Sequence, residues 1–473
     1  MKGSVVSGAD ASAVARDWVD EILLAGDESD TCLWFESRVD RGTLRGLVTE
    51  HQRTFADAGL TEGGTVALRL PPSLTFVAML LAGWRIGAQV SLLDHRLTEH
   101  EVERALDRVA AQFVVTPTEV RGGRLRGYAD VVGTTVTARA NGAPAATDHA
   151  LVQFSSGSTG ASKVIARTAA DLIAELGRYE RLADFPGRGE RMVVLASVVH
   201  VLGLVGGLLN GLHAGVQLVF AERLTAEGIL AAVAAGPEPT TVLGVPFHAE
   251  LLTAVTEKPD VPQLVRMIVA GELVRPGVPG KFVARFGVPL GTMYGMTEVG
   301  VIATDLNGTN WPSVEPAHGI EVDTVRGELR IRMAASPYIG LSDPTRFADG
   351  WLRTKDAANV DAPTGLVTIF GRLDSQVSVG GLKVDLTEVE QTLAAMPEVA
   401  EVVVVFDGDV EAYVALHGGA GAEAIHPAIG RELAPFKRPR RLHVLKQLPR
   451  TATGKLVRNP DALRAAAGAA TAP

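Results

Sequence analysis

Leu151-Val152-Gln153-Phe154-Ser155-Ser156-Gly157-Ser158-Thr159-Gly160-Ala161-Ser162-Lys163 begins as an apolar, strand-like run, breaks into hydroxyls and glycines, and closes on a lysine. A strand ending in such a loop brings backbone N–H groups and hydroxyls close to a polyphosphate, because glycine lacks the Cβ that would block the approach. Lys163 adds a positive charge for the same phosphates. The spacing is not that of a P-loop: Gly157 and Gly160 have only two residues between them, and Val164 follows the lysine. Taken alone, the loop suits a flexible connection and a phosphate cradle equally.

Working outward, Thr65 to Leu70, Val90 to Asp94 and Gln112 to Thr116 read as strands. Leu74 to Trp84 is apolar nearly all round and reads as a buried helix. Thr98 and Glu101 make a capping box for the next helix. Alternating strands and helices predict a parallel, doubly wound sheet. Gly122 to Ala146 carries no helical period and reads as short β or irregular structure.

On the other side of the loop, Met192 to Phe220 contains no Asp, Glu, Lys or Arg, a length that suits a membrane span. His200, Asn210, His213, Gln217 and the five glycines spread through it favour a buried strand–helix–strand unit instead. Thr240 to Val245 and Met267 to Ala270 repeat the strand signal. Past Ile320 the segments shorten into a small β region. From Glu388 to Leu445 helices and strands alternate in a compact α+β pattern. The fold class expected is therefore α/β: a large N-terminal domain, residues 1–371, and a small C-terminal domain, residues 372–473.

The chain has 473 residues and a formal net charge of −9, from 45 basic and 54 acidic residues. That length supports a large core and more than one domain. The charge gives no reason to expect nucleic acid or an anionic membrane as a partner. Cys32 is the single cysteine, which excludes internal disulfides and multi-cysteine metal sites. With no signal peptide read at the N-terminus, a cytoplasmic setting is expected. Only nine of the basic residues are lysines, so Lys163, Lys383 and Lys455 in patterned loops carry more information than lysines usually do.

Four further stretches carry unusual chemistry: Thr292-Met293-Tyr294-Gly295-Met296-Thr297-Glu298; Gly350-Trp351-Leu352-Arg353-Thr354-Lys355-Asp356; Gly371-Arg372-Leu373-Asp374 with Gly380-Gly381-Leu382-Lys383-Val384; and Leu448-Pro449-Arg450-Thr451-Ala452-Thr453-Gly454-Lys455. Taken singly, Glu298 reads as a surface carboxylate, Asp356 as a turn residue and Lys455 as an ordinary basic residue. In this order, with the opening loop, the five stretches resemble the AMP-forming adenylating superfamily of acyl-CoA synthetases, adenylation domains and luciferases. The resemblance runs from about Val66 to Arg458 and is nearest to acyl- or aryl-CoA ligases.

That resemblance implies stacked, mostly parallel sheets in the large domain, a mobile small domain, and a site in the cleft between them. A carboxylate attacks the α-phosphate of ATP and pyrophosphate leaves, so negative charge must be bound and the partners aligned. It implies that Ser155, Ser156, Gly157, Ser158, Thr159, Gly160 and Lys163 hold the phosphates. Thr297 would bond the α-phosphate, and Glu298 would hold Mg²⁺, a hard cation that prefers oxygen ligands. Tyr294 would lie against adenine or acyl group, and Asp356 would accept the ribose hydroxyls with Arg372 nearby. His200, Gly203, Gly271, Glu272 and Gly295 would line the acyl site; for His200 a satisfied core histidine is the competing reading. Lys455 would stabilise charge in adenylation. Asp374 matches the hinge, about which the small domain swings to present Gly380, Gly381 and Lys383 to the acceptor, CoA.

The sequence departs from the family pattern at Lys355, Ser162 and Val164, where glycine, proline and glycine are usual. Lys355 is expected to place a cation beside the ribose site. The segment Ser197-Val198-Val199-His200 has no carboxylate for a substrate ammonium, which argues against an amino acid and for an aryl or short-to-medium acyl acid. Alternatives are a stand-alone ligase that loads a carrier protein or an amine, and a catalytically silent nucleotide- or acyl-binding homologue. After Arg458 an Ala-rich segment offers no serine for a phosphopantetheine arm, so no carrier domain is expected there. The oligomeric state is not readable.

Overall fold

The computed structural model describes residues 17–471 except 96, 98, 119–127, 129–130, 155–162, 257–258, 374–375, 380–381, 434–436 and 452–453. Thr98, half of the expected capping box, lies outside the described residues, as does much of 119–130.

Two sheets form the large domain. The first has six strands in the order Thr134–Ala138, Phe113–Pro117, Thr65–Leu68, Gln89–Leu92, His149–Phe154, Val164–Thr168. The inner four pair in parallel, and the two outer strands are antiparallel to their neighbours. Helix Leu74–Ile86 connects two of the parallel strands. It is capped by the Ser73 hydroxyl, which accepts from the Phe76 N–H, and ends on Gly87 at φ +83°. Its residues from Leu74 to Trp84 are all buried, as an all-apolar helix requires. They share one core with Leu243, Ile268 and Met293 of the second sheet.

The second sheet has fourteen strands. Thr31–Trp34, Gln217–Val219, Arg191–Val194, Thr240–Gly244, Leu264–Ala270 and Leu290–Met296 are parallel in that spatial order. From there it continues antiparallel through Gly300–Asp305, Ser313–Pro316, Val367–Arg372, Trp351–Val360, Glu328–Arg332 and Val322–Val325. The charge-free run folds as the strand–helix–strand unit expected of it. Arg191–Val194 leads to a π-helical turn Leu202–Leu209, then helix Asn210–Ala214 and strand Gln217–Val219. Among the described residues no helix is long and apolar enough to cross a membrane.

The small domain contains the hairpin Gln376–Val379 and Leu382–Asp385, helix Leu386–Ala394, and a sheet of Val399–Asp407, Asp409–Leu416 and Arg441–Val444. Val389, Leu393, Val402, Val404 and Val414 form its core. The Ala-rich segment, which carried no structural expectation, folds as helix Pro460–Thr471. The Asn459 side chain accepts from the Ala462 N–H at 2.9 Å, and Leu463 is buried against Val403, Val405 and Tyr413.

Candidate active site

The site assembles where strand ends of the large domain meet one loop of the small domain. Ser155, Ser156, Gly157, Ser158, Thr159 and Gly160 lie outside the described residues. Lys163 stands at the far end of that loop, just before strand Val164–Thr168, with its ammonium 5.7 Å from the centroid of the Tyr338 ring. Tyr338 lies beside Ile165 in an isolated antiparallel bridge, and its hydroxyl donates to Glu298 Oε1 at 3.0 Å. Burial and the Glu298 carboxylate hold the Tyr338 phenol above its ordinary range. Tyr338 was missed from the sequence, since nothing in Ser336-Pro337-Tyr338 marks it apart from an ordinary loop aromatic.

Thr297 and Glu298 occupy the tight turn between strands Leu290–Met296 and Gly300–Asp305. The turn closes with the Val299 N–H on the Met296 carbonyl at 3.1 Å. Glu298 is buried, 8% exposed, and Thr297 half-buried. At Gly295 a Cβ would stand 2.6 Å from the Gly300 carbonyl oxygen, so the two strands approach as only glycine permits.

On the same strand Leu290–Met296, Tyr294 donates its hydroxyl to Oδ2 of Asp356, on strand Trp351–Val360, at 2.5 Å. Arg372 Nη1 donates to Asp356 Oδ1 at 3.0 Å, from the residue directly paired with Asp356 in the sheet. The Asp356 N–H donates to the Thr354 hydroxyl at 3.0 Å. Burial and the adjoining Asp356 charge hold the Tyr294 phenol well above its usual range, so it stays a donor.

Lys355 has φ +62°, the left-handed region that favours glycine, in a stretch where the sheet register slips. That backbone demand explains why glycine is the expected residue there. The side chain goes to Glu328, whose Oε1 is 3.5 Å from the Lys355 ammonium and accepts the Lys355 N–H at 3.2 Å. Glu328 is itself buried and bonded to Arg353. The expected cation beside the ribose site is thus drawn into an ion pair with Glu328.

His200 is exposed, not packed in the core, at the start of the helical turn; its N–H donates to the Ser197 carbonyl at 3.0 Å. Buried Gln153 donates to the Val199 carbonyl at 2.8 Å, tying this segment to the strand that precedes the hydroxyl-rich loop. At Gly203 a Cβ would sit 2.2 Å from the Ala196 carbonyl oxygen. Gly271, at φ +91°, and Glu272 are exposed at the end of strand Leu264–Ala270.

The small domain reaches this end of the sheet. Lys455 Nζ lies 3.5 Å from the Gly271 carbonyl oxygen. Its loop is braced by a bridge between Arg450 and Leu456 and by the Thr451 N–H on the Lys455 carbonyl at 2.6 Å. The Arg450 guanidinium stacks 4.3 Å over the Phe247 ring of the large domain, and Arg275 donates to Glu250 at 3.3 Å and to the Ala400 carbonyl at 3.4 Å. Gly380, Gly381 and Asp374 lie outside the described residues. Lys383 pairs through its backbone with Ser378 in the hairpin.

Among the described residues no cluster of three or more His, Cys, Asp or Glu side chains is arranged to hold a metal. A lone carboxylate such as Glu298 fits Mg²⁺, which keeps waters and takes phosphate oxygens as ligands.

Strand ends of a large double-sheet domain thus meet Lys455 and Arg450 from a loop of a small domain. Residues 48–328 match the AMP-binding enzyme family and residues 388–455 the AMP-binding enzyme C-terminal domain, and the chain belongs to this family. It is 28% identical to the p-hydroxybenzoic acid–AMP ligase FadD22 of Mycobacterium marinum, over 89% of this chain and 65% of that protein, so it spans slightly less than two thirds of that relative. It is 27% identical to a 4-chlorobenzoate–CoA ligase of an Arthrobacter species, over 92% of this chain and 91% of that one. The crystal structure of the anthranilate CoA ligase AuaEII in complex with anthranoyl-AMP shares its fold at a TM-score of 0.79, with 22% identity over 97% of this chain and 98% of that one.

Proposed function

We propose that this chain is an ATP-dependent, AMP-forming acid–thiol ligase for an aromatic carboxylic acid. The acid's carboxylate attacks the α-phosphate of ATP, the bond to pyrophosphate breaks, and an acyl-adenylate forms. The thiol of CoA then takes the acyl group and AMP leaves. The observation that supports this reading most is the 3.5 Å approach of Lys455, from the small domain, to the Gly271 carbonyl at the mouth of the large one. A lysine delivered there by a separate domain suits a charge needed in one half-reaction and withdrawn in the other.

The roles proposed are those the family resemblance implies. Ser155, Ser156, Gly157, Ser158, Thr159, Gly160 and Lys163 hold the departing phosphates. Thr297 bonds the α-phosphate, and Glu298 holds Mg²⁺, which when bound neutralises phosphate charge. Asp356, fixed between Tyr294 and Arg372, accepts the ribose hydroxyls. The acyl group lies along His200, Gly203, Gly271, Glu272 and Gly295. The domain boundary falls at 371/372 with the hinge at Asp374, and Gly380, Gly381 and Lys383 face the acceptor. A single, buried cysteine suits a cytoplasmic enzyme.

An aromatic acid is favoured because two relatives are named for benzoic acids. The first is named as an AMP ligase, which supports a second reading in which the adenylate passes to an acceptor other than CoA, such as a carrier protein. The test is pyrophosphate release with ATP, Mg²⁺ and a panel of aryl, fatty and amino acids, with and without CoA. Release with aryl acids and a CoA thioester as product supports the first reading. Adenylate accumulation unaffected by CoA supports the second, and no release with any acid sinks both.

A further inference from the structure

The turn that carries Thr297 and Glu298 is held from its far side by a helix that no motif marks. Helix Ala169–Tyr179 follows strand Val164–Thr168 and is fixed at its start by a reciprocal cap between Thr168 and Asp171. Its Glu175 is fully buried, and Oε1 accepts the Val301 N–H at 3.0 Å. One turn along, Arg178 Nη2 donates to the Val299 carbonyl at 2.9 Å. Val299 and Val301 flank Gly300, whose φ of +85° sets the sharp return of the chain. A Cβ on Gly300 would fall 2.1 Å from the Glu175 carboxyl carbon, so the carboxylate occupies the space against which the turn is folded.

Glu175 is not paid for by this contact alone. Arg167, also buried, pairs with it at 2.6 Å between Nη1 and Oε2, and donates through Nη2 to the Asp171 carbonyl at 3.2 Å. A buried ion pair contributes little net stability against apolar replacements of the same volume, so its effect here is sought in the geometry it specifies. Here that geometry is the backbone on both sides of Gly300.

We infer that Glu175 and Arg178 are positioning residues for the Thr297–Glu298 turn, fixing the direction of the Glu298 carboxylate toward a metal-bound nucleotide. The inference rests on the reading of Glu298 given above. Tyr338 constrains the Glu298 side chain from the front, and the helix constrains its backbone from behind. Groups that orient a metal ligand without touching the metal alter affinity for it when removed.

The test uses the full chain with Arg178→Met, Glu175→Gln and Glu298→Gln. In Arg178→Met, the Mg²⁺ concentration for half-maximal pyrophosphate release is expected to rise about tenfold. Calorimetry with a non-hydrolysable ATP analogue should show the Mg²⁺-dependent gain in affinity reduced by a similar factor, with binding in EDTA unchanged. Thioester formation from supplied acyl-adenylate should persist. Glu175→Gln keeps an acceptor for the Val301 N–H and should show a smaller change of the same kind. A wild-type Mg²⁺ response in folded Arg178→Met, or an equal loss of both half-reactions with a lowered unfolding midpoint, overturns the inference. Should Arg178→Met not fold, Arg178→Lys keeps the charge but not the guanidinium reach, and a wild-type Mg²⁺ response there overturns it equally. If Glu298→Gln itself responds normally to Mg²⁺, the underlying reading falls; if only Glu298→Gln is impaired, the inference alone falls.

Discussion

The Tyr294 hydroxyl and the Asp356 carboxylate meet at 2.5 Å although 62 positions separate them in the chain and three strands lie between theirs in the sheet. Tyr294 and Arg372 together leave Asp356 aimed in one direction. Removing the phenol takes away a bond to a charged group, with a typical contribution of about 1.5–3 kcal/mol. Tyr294→Phe should therefore raise the KM for ATP about ten- to a hundredfold, each 1.4 kcal/mol being one decade. The Tyr294 phenol is held well above its usual range, so the defect should be the same from pH 6 to pH 9, near-neutral conditions in which a tyrosine is protonated. A change confined to the acid's KM would assign Tyr294 to the acyl group instead.

Lys455 sits on a loop of the small domain, with its ammonium 3.5 Å from the Gly271 carbonyl of the large one. Lys455→Ala should lower adenylation by about a hundredfold, the scale of losing one charge-stabilising donor. Conversion of supplied acyl-adenylate to thioester should survive if, as proposed, the lysine is withdrawn for that step. Single-turnover assays of each half-reaction check this, and equal losses would mean that the domain does not alternate.

Lys355 holds a left-handed backbone conformation that costs a non-glycine residue roughly 1–2 kcal/mol. Lys355→Gly relieves that strain but loses the ion pair with Glu328 and adds unfolded-state entropy of about 0.5–1 kcal/mol. The changes nearly cancel, so denaturant unfolding should give a stability within about 1 kcal/mol of wild type. Lys355→Val keeps the strain, adds a β-branch and removes the pair, and should lose more. Both should keep the wild-type KM for ATP if the lysine serves Glu328 and not the nucleotide.

Legibility in the sequence followed the range of the interaction. The strands around Val66, Val90 and Val193, and the buried helix after Ser73, were readable because apolar patterning is local. Asp356, Glu298 and Lys455 were found only through a motif set spread over the chain. The helix Pro460–Thr471 was overlooked, though a proline at its first position, an asparagine before it and Leu463 on its buried face signalled it. His200 could not be placed as exposed or buried, because that depends on what the second sheet packs against. Glu175, Arg178 and Tyr338 were beyond reach for the same reason: each acts on residues 40 to 126 positions away, and none sits in a marked pattern. At Lys355 the departure from the family pattern announced backbone strain but not the distant carboxylate that takes the side chain.

His248 offers a test of the large domain independent of catalysis. It is 6% exposed in helix Pro246–Thr253, and its Nδ1 accepts the Val245 N–H at 3.1 Å, which requires the neutral ring. Burial pushes its pKa down from 6.5 to about 4. Between those values the unfolded chain binds a proton that the native protein refuses, so native stability falls as pH drops from about 6.5 toward 4 and levels off below. The full shift corresponds to at most about 3 kcal/mol. His248→Asn keeps an acceptor near the Val245 N–H but cannot titrate. At pH 7.5 the variant should be less stable, through lost ring packing, by about 1–2 kcal/mol. At pH 4.5 the difference should shrink or reverse, because only the wild type pays for proton exclusion. Urea unfolding at the two pH values measures both differences. If the wild type and the variant lose stability in parallel as the pH falls, His248 is protonated in the native protein, and its ring does not accept the Val245 N–H.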